Sequence, residues 1–120
     1  MNPVSYIYPT GTFQYIKPIA LLINGKSFST AEHMANVCKM IDHITLIGDT
    51  TKGGGGIPDE LYVMPSGFSF RVPTRKVIRY DGEEVEWNGI PPDILIQQTK
   101  DDISKNNDKQ LEYAIDYLNL

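Results

Sequence analysis

The sequence predicts an α/β fold in which a parallel strand pair is joined by a helix and extended by an antiparallel hairpin and a C-terminal helix. Three observations predict it. Pro18 to Ile23 is an unbroken apolar run, the pattern of a strand covered on both faces and usual for a central parallel strand. Ala31, Met34, Ala35, Cys38 and Ile41 then recur at helical spacing. Ile44 to Ile47 is a second short apolar run. Strand, helix and strand in that order call for a right-handed crossover between parallel strands.

The elements follow in order. Residues 1 to 16 read as a leader. A short strand is expected over Val4 to Tyr8, and Tyr6, Tyr8, Phe13 and Tyr15 supply aromatic surface suited to packing on another part of the protein. After the first strand, Asn24-Gly25 breaks the apolar run. The helix is expected from Ser29 to about Asp42. Ser29-x-x-Glu32 fits a capping box, in which the serine oxygen accepts from the backbone three residues on and the glutamate reaches back.

Gly48 to Pro58 reads as a loop, because four consecutive glycines, Gly53 to Gly56, cannot hold regular structure unaided. Glu60 to Met64 and Phe68 to Val72 flank Pro65-Ser66-Gly67 as a β-hairpin, and Lys76 to Tyr80 is expected as a third antiparallel strand. Gly89 to Asp93 is a rigid turn before a short strand, Ile94 to Ile96. Thr99 to Asp108 reads as a polar loop. Asp108 to Leu118 reads as a helix with Leu111, Ala114, Ile115 and Leu118 on one face.

Composition narrows the function. Of 120 residues 41% are hydrophobic, enough for a core. The net charge of −4 argues against an electrostatic nucleic-acid partner. The one loose basic group, Arg71, Arg75, Lys76 and Arg79, is expected on one face of a strand pair. With one cysteine no intrachain disulfide forms, and Cys38 reads as a core residue. His33 and His43 have no zinc spacing, so neither metal nor cofactor is expected. No signal peptide is visible and no apolar run approaches the length of a membrane span.

The chemistry concentrates at Ser29. A hydroxyl at a strand-to-helix turn is well placed as a nucleophile, the backbone N–H of Thr30 is the natural oxyanion donor, and a base must take the serine proton. The structural alternative is that Ser29 is only a helix cap. Ser27 and Thr30 are fallback hydroxyls, and His33 lies one helical turn from Ser29. Glu32 reads as a cap partner. The glycines suit close approach of a substrate backbone or a flexible connection, and are not a phosphate-binding loop, since Lys52 precedes them.

Three motifs together resemble the S41 serine peptidases, which include C-terminal processing (tail-specific) proteases, the tricorn core protease and interphotoreceptor retinoid-binding protein modules. They are PIALLINGKSFSTAE, LIGDTTKGGGG and NGIPPDILI, in that order over roughly residues 17 to 97. The second is similar to the family's V-G-E-x-T-x-G-G and the third to its G-[IV]-x-P-D-[IV]. The resemblance implies a ClpP/crotonase-like ββα-spiral core, here a partial domain covering residues 17–98, followed by a polar loop and helix at 99–120. It implies Ser29 as nucleophile, Glu86 as an acidic site residue and Gly53, Gly54 and Gly55 at the substrate. The lysine that serves as base in the processing branch falls on Gly54, so the chain is more similar to the tricorn branch, whose base is an upstream histidine. It therefore implies a missing upstream half of the catalytic domain, a peptide or unfolded protein C-terminus as substrate, and export to the periplasm or cell envelope. A non-catalytic binding module on the same fold is the rival reading; a CoA-binding crotonase-like domain is a third, resting on fold alone.

Overall fold

A computed structural model describes residue 8 and residues 10–119. The apolar run forms β1 (Ile19–Ile23), followed by α1 (Thr30–Cys38) and β2 (Ile44–Gly48). β1 and β2 pair in parallel with Ile19 opposite Ile44 and Ile23 opposite Gly48. A short strand, β5 (Ile94–Leu95), pairs in parallel with the other edge of β2. Between them lies the hairpin of β3 (Ile57–Val63) and β4 (Ser69–Arg75). The chain ends in α2 (Lys100–Ser104) and α3 (Lys109–Leu118).

The sheet order β1-β2-β5 makes β2 the central strand among the described residues. Leu46 and Ile47 point to opposite faces and both are fully buried, so β2 is covered on both sides. Among the described residues β1, expected at the centre, lies at the edge of the sheet, and Leu22 is 37% exposed. The core gathers Ile23, Ala35, Cys38, Leu46, Val85 and Ile90. Cys38 is buried as expected, and burial pushes its thiol pKa up.

Asp93 stitches the last motif to the sheet. Its carboxylate accepts from Leu46 N–H at 2.8 Å and from Lys39 Nζ at 2.6 Å, and its N–H donates to Leu46 O at 2.8 Å. α1 stops four residues before the expected Asp42. Beyond Cys38 the backbone tightens into i→i+3 bonds, Met40 N–H to Val37 O and Ile41 N–H to Cys38 O.

The buried face of α1 is Glu32, Ala35 and Cys38; Ala35 and Cys38 belong to the apolar stripe read from the sequence, whereas Met34 of that stripe is 58% exposed. α3 likewise buries Gln110 and Ala114 and leaves Leu111, Ile115 and Leu118 about half exposed. It is capped by Asp108, whose Oδ1 accepts from Leu111 N–H at 3.1 Å. α2 replaces part of the expected polar loop. Thr99 caps it, its Oγ1 accepting from Asp102 N–H at 3.1 Å while Asp102 Oδ2 accepts from Thr99 N–H at 2.9 Å.

Lys76 to Tyr80 is not a strand of the hairpin. It folds against its own continuation through a bridge between Ile78 and Glu84, with Val85 N–H donating to Val77 O at 2.9 Å. The basic group is accordingly dispersed: Arg71 and Arg75 lie on β4, Lys76 pairs with Glu84, and Arg79 pairs with Asp81 and donates to Gly89 O at 3.1 Å. The hairpin stands off the core, with Tyr62 stacked on Phe70 at 5.5 Å and every β4 residue exposed. The Cα radius of gyration is 17.7 Å, against about 14 Å for a compact chain of this length. Phe13 and Tyr15 of the leader are exposed; the expected strand over Val4 to Tyr8 and the packing of Tyr6 lie outside the described residues save Tyr8, which is exposed too.

Candidate active site

Ser29 sits at the turn between β1 and α1. The turn is shaped by Asn24, whose Oδ1 accepts from Lys26 N–H at 2.9 Å and whose N–H donates to Ser27 Oγ at 3.2 Å. The Ser27 hydroxyl is thus part of the turn. Ser29 then adopts φ 59°, ψ −121°, a backbone state that glycine tolerates and that costs other residues about 1–3 kcal/mol. Strain of this kind persists only where the surroundings hold it, and here they do. Ser29 N–H donates to Glu32 Oε2 at 2.9 Å, and Ser29 O accepts from Glu32 N–H at 2.8 Å and His33 N–H at 3.3 Å.

The expected capping box is in place, with Glu32 reaching back to Ser29 N–H, while the Ser29 hydroxyl itself makes no cap hydrogen bond. The side chain is exposed. Thr30 N–H, the candidate oxyanion donor, meets no acceptor among the described residues. A free hydroxyl beside a free helix-start N–H is the arrangement acyl transfer needs.

Glu32 does more than cap. It is fully buried, and its carboxylate also accepts from Thr51 Oγ1 at 2.7 Å, Gly53 N–H at 2.6 Å and Gly54 N–H at 2.9 Å. Burial pushes its pKa up, but the bonds from Thr51, Gly54, Gly53 and Ser29 outweigh it, and the carboxyl sits below its ordinary value. Thr51 Oγ1 in turn accepts from Ile90 N–H at 2.7 Å. One buried carboxylate thus ties the three sequence motifs together at the turn that holds Ser29. The signal for Glu32 was present in its spacing from Ser29; its reach across to Thr51 and the glycines had none.

The glycine run is a packed segment. Gly53, at φ 83°, backs onto the Trp87 backbone, and its carbonyl accepts from Trp87 N–H at 2.9 Å. Gly55 and Gly56 donate to Glu86 Oε2, both at 3.0 Å. All four glycine N–H groups are therefore engaged by Glu32 and Glu86. Glu86 is placed against the loop, and no hydrogen bond joins it to Ser29 among the described residues.

At Gly54 the constraint is space. A Cβ there would lie 1.9 Å from Cε2 of Phe28. The ring fills the place from which a lysine at this position would start, so the departure from the processing-branch pattern is built into the packing. Neither the His33 nor the His43 imidazole hydrogen-bonds to the Ser29 hydroxyl, and among the described residues no three metal-ligating side chains cluster. A cleft of about 540 Å³ opens on the other side of the turn, along Asn24 to Lys26, Asp49 and Asn106 to Asp108, and does not include Ser29.

The sequence matches Peptidase family S41 over residues 4–96. The chain belongs to this family. It is 32% identical over 82 residues to a carboxy-terminal-processing protease of Bartonella bacilliformis, covering 68% of this chain and 19% of that protein. Its fold is similar to the crystal structure of a candidate peptidase from Parabacteroides merdae, with TM-score 0.79, 32% identity, and coverage of 95% of this chain and 36% of that one. It is also similar to the tricorn protease, with TM-score 0.75, 27% identity, and coverage of 84% and 10%. As an S41 member the chain has a mixed α/β fold related to known peptidases. It spans 16 to 19% of the length of the curated relatives it matches.

Proposed function

We propose that residues 17–98 are the C-terminal portion of an S41 serine peptidase catalytic domain with a ClpP/crotonase-like ββα-spiral core, that 1–16 lead in from its upstream part, and that 99–120 follow it. Ser29 is the nucleophile. Its Oγ gives its proton to a base and attacks the peptide carbonyl, the carbonyl oxygen becomes an oxyanion held by Thr30 N–H, and the amine leaves with that proton. Water then hydrolyses the acyl-enzyme. The base, a histidine as in the tricorn branch, comes from outside these 120 residues, so the chain alone is inactive. Glu86 fixes the glycine loop, and Gly53, Gly54 and Gly55 let a substrate backbone approach, meeting their Cα edges since their N–H groups are taken. Substrates are peptides or the C-terminal ends of unfolded proteins, and the protein acts in the cell envelope.

The observation that carries this reading is the strained Ser29 backbone beside an unpaired Thr30 N–H. A helix cap needs neither. The second reading, a binding module that has lost catalysis, is favoured by one feature: no base hydrogen-bonds to the Ser29 hydroxyl among the described residues. The test is peptide hydrolysis by the full-length protein and its Ser29→Ala variant. Hydrolysis lost in the variant supports the peptidase. Equal hydrolysis by both removes Ser29 from the mechanism.

A further inference from the structure

We propose that Asn24-Gly25 is a self-modification site: Asn24 deamidates to aspartate and isoaspartate without any enzyme, and this sets the lifetime of the turn that presents Ser29. The modification stands on the geometry of the turn itself; its effect on catalysis rests on the peptidase reading above.

The reaction needs an asparagine amide folded over the next peptide N–H, a small residue in second place, and an N–H free to react. Gly25 N attacks Asn24 Cγ, a new C–N bond forms, the Cγ–Nδ2 bond breaks, and ammonia leaves with the N–H proton. Water then opens the resulting succinimide ring. Opening at Cγ gives aspartate. Opening at the backbone carbonyl gives isoaspartate, which adds one atom to the main chain.

Each requirement is met at residue 24. Asn24 Oδ1 accepts from Lys26 N–H at 2.9 Å, an Asx turn that folds the amide back over the Gly25 peptide. The same N–H is placed to hold the negative charge that Oδ1 gains under attack. Asn24 O accepts from Ser27 N–H at 2.8 Å and Asn24 N–H donates to Ser27 Oγ at 3.2 Å, so the turn is kept in this shape. Among the described residues neither Gly25 N–H nor Asn24 Nδ2 donates to any acceptor. The nucleophile and the leaving group are both unencumbered, and Gly25 has no Cβ to shield its nitrogen. Both residues line the cleft of about 540 Å³, which gives water its access.

The chain holds a second Asn-Gly pair, and its hydrogen bonding is the opposite. Gly89 N–H donates to Val85 O at 2.8 Å, and Asn88 Nδ2 donates to Glu84 O at 3.0 Å. Attacking nitrogen and leaving amide are both tied there, so the structure directs the reaction to Asn24.

The product reaches Ser29 through the turn. A carboxylate at residue 24 adds negative charge beside Asp49 and Asp108, which line the same cleft. Isoaspartate also lengthens the segment between β1 and Ser27, whose carbonyl accepts from Lys52 N–H at 2.9 Å. The strained Ser29 backbone two residues on loses the frame that holds it.

In the experiment, full-length protein is held at mildly alkaline pH, native or unfolded in urea, and sampled over days. Peptide mapping by mass spectrometry reads conversion at Asn24 and Asn88, and fragmentation separates aspartate from isoaspartate. In native protein Asn24 is expected to convert about tenfold faster than Asn88, whose hydrogen bonds must open first; unfolding brings the two rates together. Gly25→Ala is expected to slow Asn24 about tenfold by shielding the attacking nitrogen. Its Cβ meets only Thr50 O, at 3.9 Å, an ordinary contact that keeps the fold. Fluorophosphonate labelling should fall in step with isoaspartate in wild type and persist in Gly25→Ala. Native Asn24 that converts no faster than Asn88, while unfolded protein converts, overturns the site. Full conversion with labelling unchanged overturns its effect on the turn. Protein that takes no label before incubation overturns the peptidase reading alone, and the peptide map still decides the modification.

Discussion

Replacing Ser29 by glycine tests whether this turn is built for presentation rather than for capping. Two structural facts set the expected magnitude. The Ser29 hydroxyl makes no cap bond, so deleting it forfeits no hydrogen bond to the helix. The backbone at φ 59°, ψ −121° stores about 1–3 kcal/mol for a residue with a Cβ, and glycine relieves most of it. Against that stands the greater freedom of glycine in the unfolded chain, about 0.5–1 kcal/mol. The balance is a stabilisation of about 1 kcal/mol, which for a cooperative unit of 120 residues raises Tm by about 4 °C. Ser29→Ala keeps the strain and loses no bond, so its Tm stays within about 2 °C of wild type. Thermal unfolding followed by circular dichroism reads both. A loss of stability in both variants, near the 1 kcal/mol typical of a lost cap, would show an ordinary N-cap and refute the strained-nucleophile reasoning.

Further outcomes follow from the same contacts. Glu32→Ala leaves the Ser29, Gly53 and Gly54 amides and the Thr51 hydroxyl without their acceptor and is expected to cost about 3–5 kcal/mol in urea unfolding; a cost under about 1 kcal/mol would mean that the network does not hold the turn. Because the folded carboxyl of Glu32 titrates below its ordinary value of 4.5, its contribution is fully present above that pH and is lost as pH falls through the folded value. The urea midpoint should therefore fall more steeply below that pH in wild type than in Glu32→Gln, and parallel profiles would contradict the assignment. Cys38, 2% exposed and with its thiol pKa pushed up, should react with a thiol reagent only on unfolding; rapid labelling of native protein would show that α1 opens locally.

Much of the fold was legible because its signals are local. The apolar runs of β1 and β2, the helical spacing of α1 and the Pro65-Ser66-Gly67 turn each carry their own geometry. What failed was non-local. Periodicity shows that Met34 and Leu111 are apolar, but not which face of their helices a neighbour covers, and both stand exposed. α2 escaped because its five residues have no apolar stripe, although Thr99-x-x-Asp102 is a capping box of the kind recognised at Ser29 and Glu32. At the candidate site, Ser29 and the glycine run were legible from motif order. The placement of Glu32 on Thr51 and on the glycine amides, and of Phe28 on Gly54, depends on segments 19 to 26 residues apart in sequence meeting in space. No local pattern encodes that meeting.

The central claim is that Ser29 is a nucleophile whose site is completed outside these residues. Fluorophosphonate labelling followed by intact-mass measurement, on the 120-residue chain, the full-length protein and Ser29→Ala of each, tests it most directly. One adduct on the full-length protein, none on the short chain and none on the variants is the predicted result. A folded full-length protein that takes up no label, or one labelled equally in Ser29→Ala, would contradict it.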